Sequence, residues 1–145
     1  MAGFLFNIGA EQLVLRTTAW GGVCDLHARL VPTADTHVLK DSDVMTNIGS
    51  TEATADVAIG DDQLPTKNDT NDRVSYTTTG NITFSAAALA IGECDRMVFY
   101  RHVTNDADSI PIAVVDITVV TPNGGDIVVT QPTTDTVLGW FFLQQ

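Results

Sequence analysis

From Gly22 onward the chain alternates apolar and polar positions with a period of two, interrupted at intervals by Gly, Pro, Asn and Asp. Cys24, Leu26, Ala28 and Leu30 alternate with Asp25, His27 and Arg29, the pattern of a strand with one core face and one wet face, and Pro32 ends it. Ala53, Ala55, Val57 and Ile59 alternate with Thr54, Asp56 and Ala58 until Gly60-Asp61-Asp62 breaks the run. Val74, Tyr76 and Thr78 resume it, and Gly80-Asn81 reads as a turn with Ile82 and Phe84 on its far side. The last third is a row of short apolar runs, Met97–His102, Ile112–Val120, Asp126–Thr130 and Val137–Leu143. Strands recurring every roughly 8–12 residues are the mark of a sandwich or barrel. The pattern therefore predicts a mainly β chain of antiparallel strands near 22–31, 53–59, 73–79, 95–103, 111–120, 126–131 and 137–143. Helix is expected only in short pieces over 9–16, with Glu11 and Arg16 suitably placed for the helix dipole, and over 36–44. The polar stretch 61–72 reads as the longest loop.

At 145 residues the chain is long enough for one domain with a sizeable core and short for two. A single β domain over 1–145 is the economical reading, with residues 1–21 an arm or a short helical lead-in. Seven Lys and Arg against 18 Asp and Glu give a net charge of −11, which argues against nucleic-acid binding because no basic cluster is present to neutralise phosphates. The opening Met1-Ala2-Gly3-Phe4-Leu5-Phe6-Asn7-Ile8 has no basic start and too short an apolar run for a secretory signal. No apolar span approaches the ~20 residues of a membrane helix. The expected setting is a cytoplasm, up to the point of assembly, with no membrane contact.

Little catalytic chemistry is legible. Cys24 and Cys94 carry none of the paired spacings of zinc or redox motifs and read as small buried hydrophobes. Zinc would need ligands drawn from Cys24, His27, His37, Cys94 and His102, yet Cys24 and His27 fall on opposite faces of a strand. Asp61, Asp62, Asp69 and Asp72 lack the spacing of a calcium loop and read as a solvated acidic segment. There is no Gly-x-Ser-x-Gly elbow and no glycine-rich phosphate loop. His102, at the end of an apolar strand, reads as a surface or interface residue. The expectation is no enzyme, no cofactor, no metal and no catalytic residue. Trp20 and Trp140 stand beside glycines near the two ends and read either as core or as interface anchors.

Five short stretches, taken in order, carry a resemblance: Thr33-Ala34-Asp35-Thr36-His37, Asn71-Asp72-Arg73-Val74, Cys94-Asp95-Arg96-Met97-Val98-Phe99-Tyr100, Ser109-Ile110-Pro111-Ile112-Ala113-Val114-Val115-Asp116 and Gly139-Trp140-Phe141-Phe142-Leu143. Over residues 22–143 the chain resembles a family of small tailed-bacteriophage virion structural proteins. The resemblance implies a β-sandwich, jelly-roll-like, that works by binding. The first expectation is a capsid decoration or cement protein, a homo-oligomer in the virion whose partner is the major capsid protein or another virion protein. Many copies of a small acidic domain would then stabilise the assembled shell by mass action and avidity. Phe4, Leu5, Phe6, Trp20, Trp140 and Phe142 are the expected contact anchors, because both chain ends are apolar where ends are usually polar. A tail, adaptor or fibre-associated protein is the alternative within the particle. A carbohydrate-binding or hydrolytic β domain is the alternative outside it, and would need an exposed aromatic platform beside paired acids.

Overall fold

The structure, a computed structural model, describes residues 3–5, 25–36, 38, 41–46, 48, 56–59, 66–68, 73–76, 80–85, 92–131, 133–134, 137–138 and 140–144. They form strands β1 (Gly3–Leu5), β2 (Leu26–Pro32), β3 (Asp56–Ala58), β4 (Thr66–Asn68), β5 (Arg73–Tyr76), β6 (Ile82–Phe84), β7 (Cys94–Arg101), β8 (Ile110–Val120), β9 (Ile127–Val129), β10 (Thr133–Thr134), β11 (Val137–Leu138) and β12 (Phe141–Gln144). All pairings among them are antiparallel. Five strands make the main sheet in the order β1-β8-β7-β2-β3, three make a second in the order β12-β5-β4, and β6-β9 and β10-β11 are two-stranded.

Strands lie within or across each predicted range with shifted ends, except that 137–143, predicted as one strand, is divided between β11, which pairs with β10, and β12, which pairs with β5; β1 was not predicted, and the expected turn at Gly80-Asn81 does not join a hairpin. β5 pairs with β4 and β12, whereas β6 pairs with β9. Residues 66–68, read as loop, form β4. The described residues of 36–44 are turn, bend or without regular structure, with no helix, as expected of a stretch whose Asp and Ser side chains compete for backbone hydrogen bonds. The helix expected over 9–16 lies outside the described residues.

Two buried clusters lie on opposite faces of the main sheet. On one, Leu26, Ala28 and Leu30 of β2, Met97 and Phe99 of β7, and Ala113 and Val115 of β8 pack against Ile82 and Phe84 of β6, Ile127 and Val129 of β9, and Trp140. On the other, Val31, Val98, Tyr100 and Val114 are covered by Val38, Met45 and Ile48 of the β2–β3 connection. The alternation along β2 therefore separates two cores. Its expected wet face is covered too, because that connection is tied down by Met45 N–H donating to the Ser109 carbonyl at 2.9 Å.

Pro111 sits in a central strand, where a missing N–H would ordinarily cost a ladder bond. It lies where the β7–β8 register shifts between Phe99 and Tyr100, so the irregularity absorbs it. Beyond Val115, β8 runs on past its well-covered half and its side chains become exposed or half-exposed.

Candidate functional site

The covered second face of the sheet holds the polar groups. Arg29 of β2 is registered against Asp56 of β3, and its side chain is almost wholly buried. One guanidinium nitrogen, Nη2, donates to Asp56 Oδ2 at 2.8 Å and to Asp106 Oδ1 at 2.8 Å; the other, Nη1, donates to Asp106 Oδ2 at 2.8 Å and to the Ile48 carbonyl at 3.0 Å. The fork on Asp106 is bidentate, the geometry that suits guanidinium best. Burial works against the charge on Arg29, but its hydrogen bonds to the two carboxylates outweigh it and hold the group protonated above its ordinary range. Tyr100 of β7 donates its hydroxyl to Asp56 and lies under the guanidinium, with the Arg29 carbon 5.1 Å from the ring centre. Burial and the Asp56 hydrogen bond push the phenol well above its usual range.

Asp106 is aimed by its own turn. The Asn105 carboxamide oxygen accepts from Ala107 N–H at 2.8 Å, and buried Ser109 donates its hydroxyl to the Asn105 carbonyl at 2.7 Å while accepting from Val103 N–H at 3.2 Å. An Asx-type turn of this kind fixes the loop without regular structure. The network is therefore a clamp between β2, β3, β7 and the β7–β8 loop.

Beside it, towards the start of β2, lies a cluster of Asp25, His27 and His102. The Asp25 carboxylate places Oδ1 3.0 Å from His27 Nε2 and Oδ2 3.1 Å from His102 Nδ1. The two imidazoles stack, with centroids 4.5 Å apart and planes at 19°. The His102 N–H donates to the Asp25 carbonyl at 2.8 Å, which ties the end of β7 to the start of β2. Both histidines are mostly buried, at 17% and 18% side-chain exposure, and Asp25 is open at 43%. His27 Nδ1 is buried with no partner among the described residues.

The sequence reading named His27 and His102 among possible zinc ligands but left out Asp25 and set the site aside on the Cys24–His27 spacing. Its members come from segments 77 positions apart, and the available signal was parity: Asp25-x-His27-x-Arg29 and Tyr100-x-His102 each repeat a polar residue every second position on what become neighbouring strands.

The expected contact anchors fare differently. Trp140 is buried in this chain's own core and packs on Phe99 with ring centroids 5.7 Å apart, so the core alternative holds for it and not the anchor. Phe4 and Leu5 lie in β1, an edge strand of the main sheet, registered against Val114 and Ala113; Phe142 lies in β12, registered against Ser75. Phe6 and Trp20 lie outside the described residues, as do Cys24 and His37. Cys94 is a free, buried thiol pushed up to about 11 by burial and by the nearby charges of Asp95 and Glu93.

Apolar surface appears elsewhere. Where β8 overhangs, an open groove of about 420 Å³ is lined by Ile117, Val119, Val120, Ile127, Val128 and Val129, with Thr118, Thr121, Asn123, Asp126 and Thr130 among them. Val119 and Val128 are 58% and 54% exposed. Among the residues whose side chains are described, the large exposed hydrophobic residues are Val44, Val103, Val119 and Val128.

No family model matches the chain, and no curated protein or solved structure matches it. No helix among the described residues is long and apolar enough to cross a membrane.

Proposed function

We propose that the chain is a virion structural protein that acts by contact, most simply a capsid decoration or cement protein bound to the assembled major-capsid shell. The placement on a virion rests on the resemblance to small tailed-phage structural proteins. The observation that carries the contact reading is the apolar groove beside Val119 and Val128, a local concentration of exposed aliphatic surface on an otherwise strongly acidic chain.

Two polar side chains from the segments behind the resemblance, Arg96 and Ser109, hold the fold. Arg96 donates from Nη2 to the carbonyls of Pro32 at 3.0 Å and Asp35 at 2.8 Å, so one such segment pins the turn formed by another. Ser109, from a third, anchors the β7–β8 loop. In this proposal the main sheet and the β6–β9 pair are the two layers of a jelly-roll-like sandwich, and its rigidity limits what ordering costs on binding.

The test is co-sedimentation of the purified chain with particles that lack it. Val119→Asp with Val128→Asp should weaken co-sedimentation by at least about tenfold, since two charges would face an apolar partner. The thermal midpoint should barely move, because both side chains are exposed. Unchanged co-sedimentation would overturn the groove as the contact surface. Absence of co-sedimentation by the unaltered chain would overturn the virion reading.

A further inference from the structure

We propose that Asp25, His27 and His102 form a binding site for a divalent transition-metal ion of the zinc class, independently of the contact function. Three potential ligand atoms, one from each residue, lie within 4.8 Å of one another. The donor set of two imidazoles and one carboxylate suits zinc, cobalt, nickel or copper, and is too rich in nitrogen for calcium or magnesium.

The spacing is close to what coordination requires. Metal–nitrogen and metal–oxygen bonds of about 2.0–2.2 Å place neighbouring donors of a tetrahedron roughly 3.3 Å apart. The carboxylate already stands 3.0 Å and 3.1 Å from one nitrogen of each ring. An ion entering between them displaces the hydrogens that now bridge these pairs. The stacked rings present their nitrogens side by side, so one ring must turn about its Cβ–Cγ bond to bring both lone pairs onto a common ion.

The backbone has met much of the entropic cost in advance. His27 lies within β2, and the hydrogen bond from His102 N–H to the Asp25 carbonyl fixes the other two ligands relative to it. Neighbouring Arg29, Asp56 and Tyr100 direct their hydrogen bonds at one another, and the Tyr100 ring adjoins the imidazoles of His27 and His102 at centroid distances of 5.6 and 6.3 Å. Asp25 lies on the exposed side, and a fourth coordination position there is open to water or to a donor from another molecule.

Affinity should be moderate. The unpartnered Nδ1 of His27 means that this ligand lacks the second hydrogen bond that usually orients a coordinating imidazole, a deficit worth about 10–100-fold in affinity.

The experiment is a calorimetric titration of chelator-stripped full-length chain with zinc chloride, paired with the visible absorption of its cobalt(II) form. One ion per chain should bind with a dissociation constant on the order of micromolar, and cobalt(II) should show the intense bands of a low-coordinate site. His102→Gln and Asp25→Asn should each weaken binding at least tenfold, whereas Asp116→Asn, at an exposed position of β8, should leave it unchanged. Circular dichroism and thermal unfolding establish that each variant is folded, and Asp25→Asn, altering an exposed side chain, serves if His102→Gln does not fold. No binding at about 100 µM zinc, or binding that survives both substitutions, would overturn the site.

Discussion

Replacing Arg29 with Met would leave Asp56 and Asp106 without their shared cation on the covered face of the sheet. Removing one partner of a buried ion pair typically costs about 3–5 kcal/mol, so Arg29→Met should lower the urea midpoint by that equivalent at neutral pH. Arg29→Lys should recover only part of the loss, since an ammonium cannot reach both carboxylates and the Ile48 carbonyl as a planar fork does. Cys94 offers a pH test. Its thiol is raised from about 9 in the unfolded chain to about 11 in the folded one, so between those values the folded chain keeps a proton that the unfolded chain has lost. Stability is therefore complete below about pH 9 and falls as pH rises towards 11, by about 1.4 kcal/mol per pH unit for one proton. Tyr100, also raised, adds to the decline from about pH 10. Cys94→Ala should flatten the first part of that slope in denaturant titrations across the alkaline range. At this scale the sequence marked Cys94 as a buried hydrophobe, but it placed Arg29 and His27 on a wet face. Alternation reports that two faces differ; it does not say that the polar one is open, and partners 27 to 77 positions away decide that.

Among the elements, the β7–β8 loop connects the clamp to the sheet. Ser109→Ala removes a buried hydroxyl that serves both the Asn105 carbonyl and Val103 N–H, and should cost about 1–3 kcal/mol in thermal or denaturant unfolding. Four of the five strands of the main sheet were legible as apolar runs bounded by turn residues, and β7 and β8 fall almost where the pattern put them; β1, three residues within the stretch read as an arm or helical lead-in, was not. Pairing was less legible. Gly80-Asn81 has the chemistry of a hairpin turn, yet Ile82 and Phe84 are drawn to β9 by a shared core with Ile127 and Val129. The Asn81 carboxamide accepts from Gln131 N–H at 3.2 Å and serves that long-range pairing instead. β4 hides in a polar stretch because three residues are too few to show a period.

For the molecule as a whole, sequence and structure agree on a mainly β, antiparallel chain, and they differ on where its chemistry-bearing residues gather. Arg29, Asp56, Tyr100 and Asp106 meet through the topology of the main sheet, as do Asp25, His27 and His102, and no local motif announces either group. The contact proposal uses a surface that the sequence did not single out, the overhang of β8 beside β9, in place of the buried Trp140. The measurement that addresses the proposal most directly is the copy number of this chain in purified particles, by quantitative mass spectrometry against the major shell protein. A decoration role predicts a fixed ratio of at least one copy for every few shell subunits, as avidity across a repeating lattice requires. A handful of copies per particle would contradict it in favour of a tail or adaptor position, and absence from the particle would remove the virion function altogether.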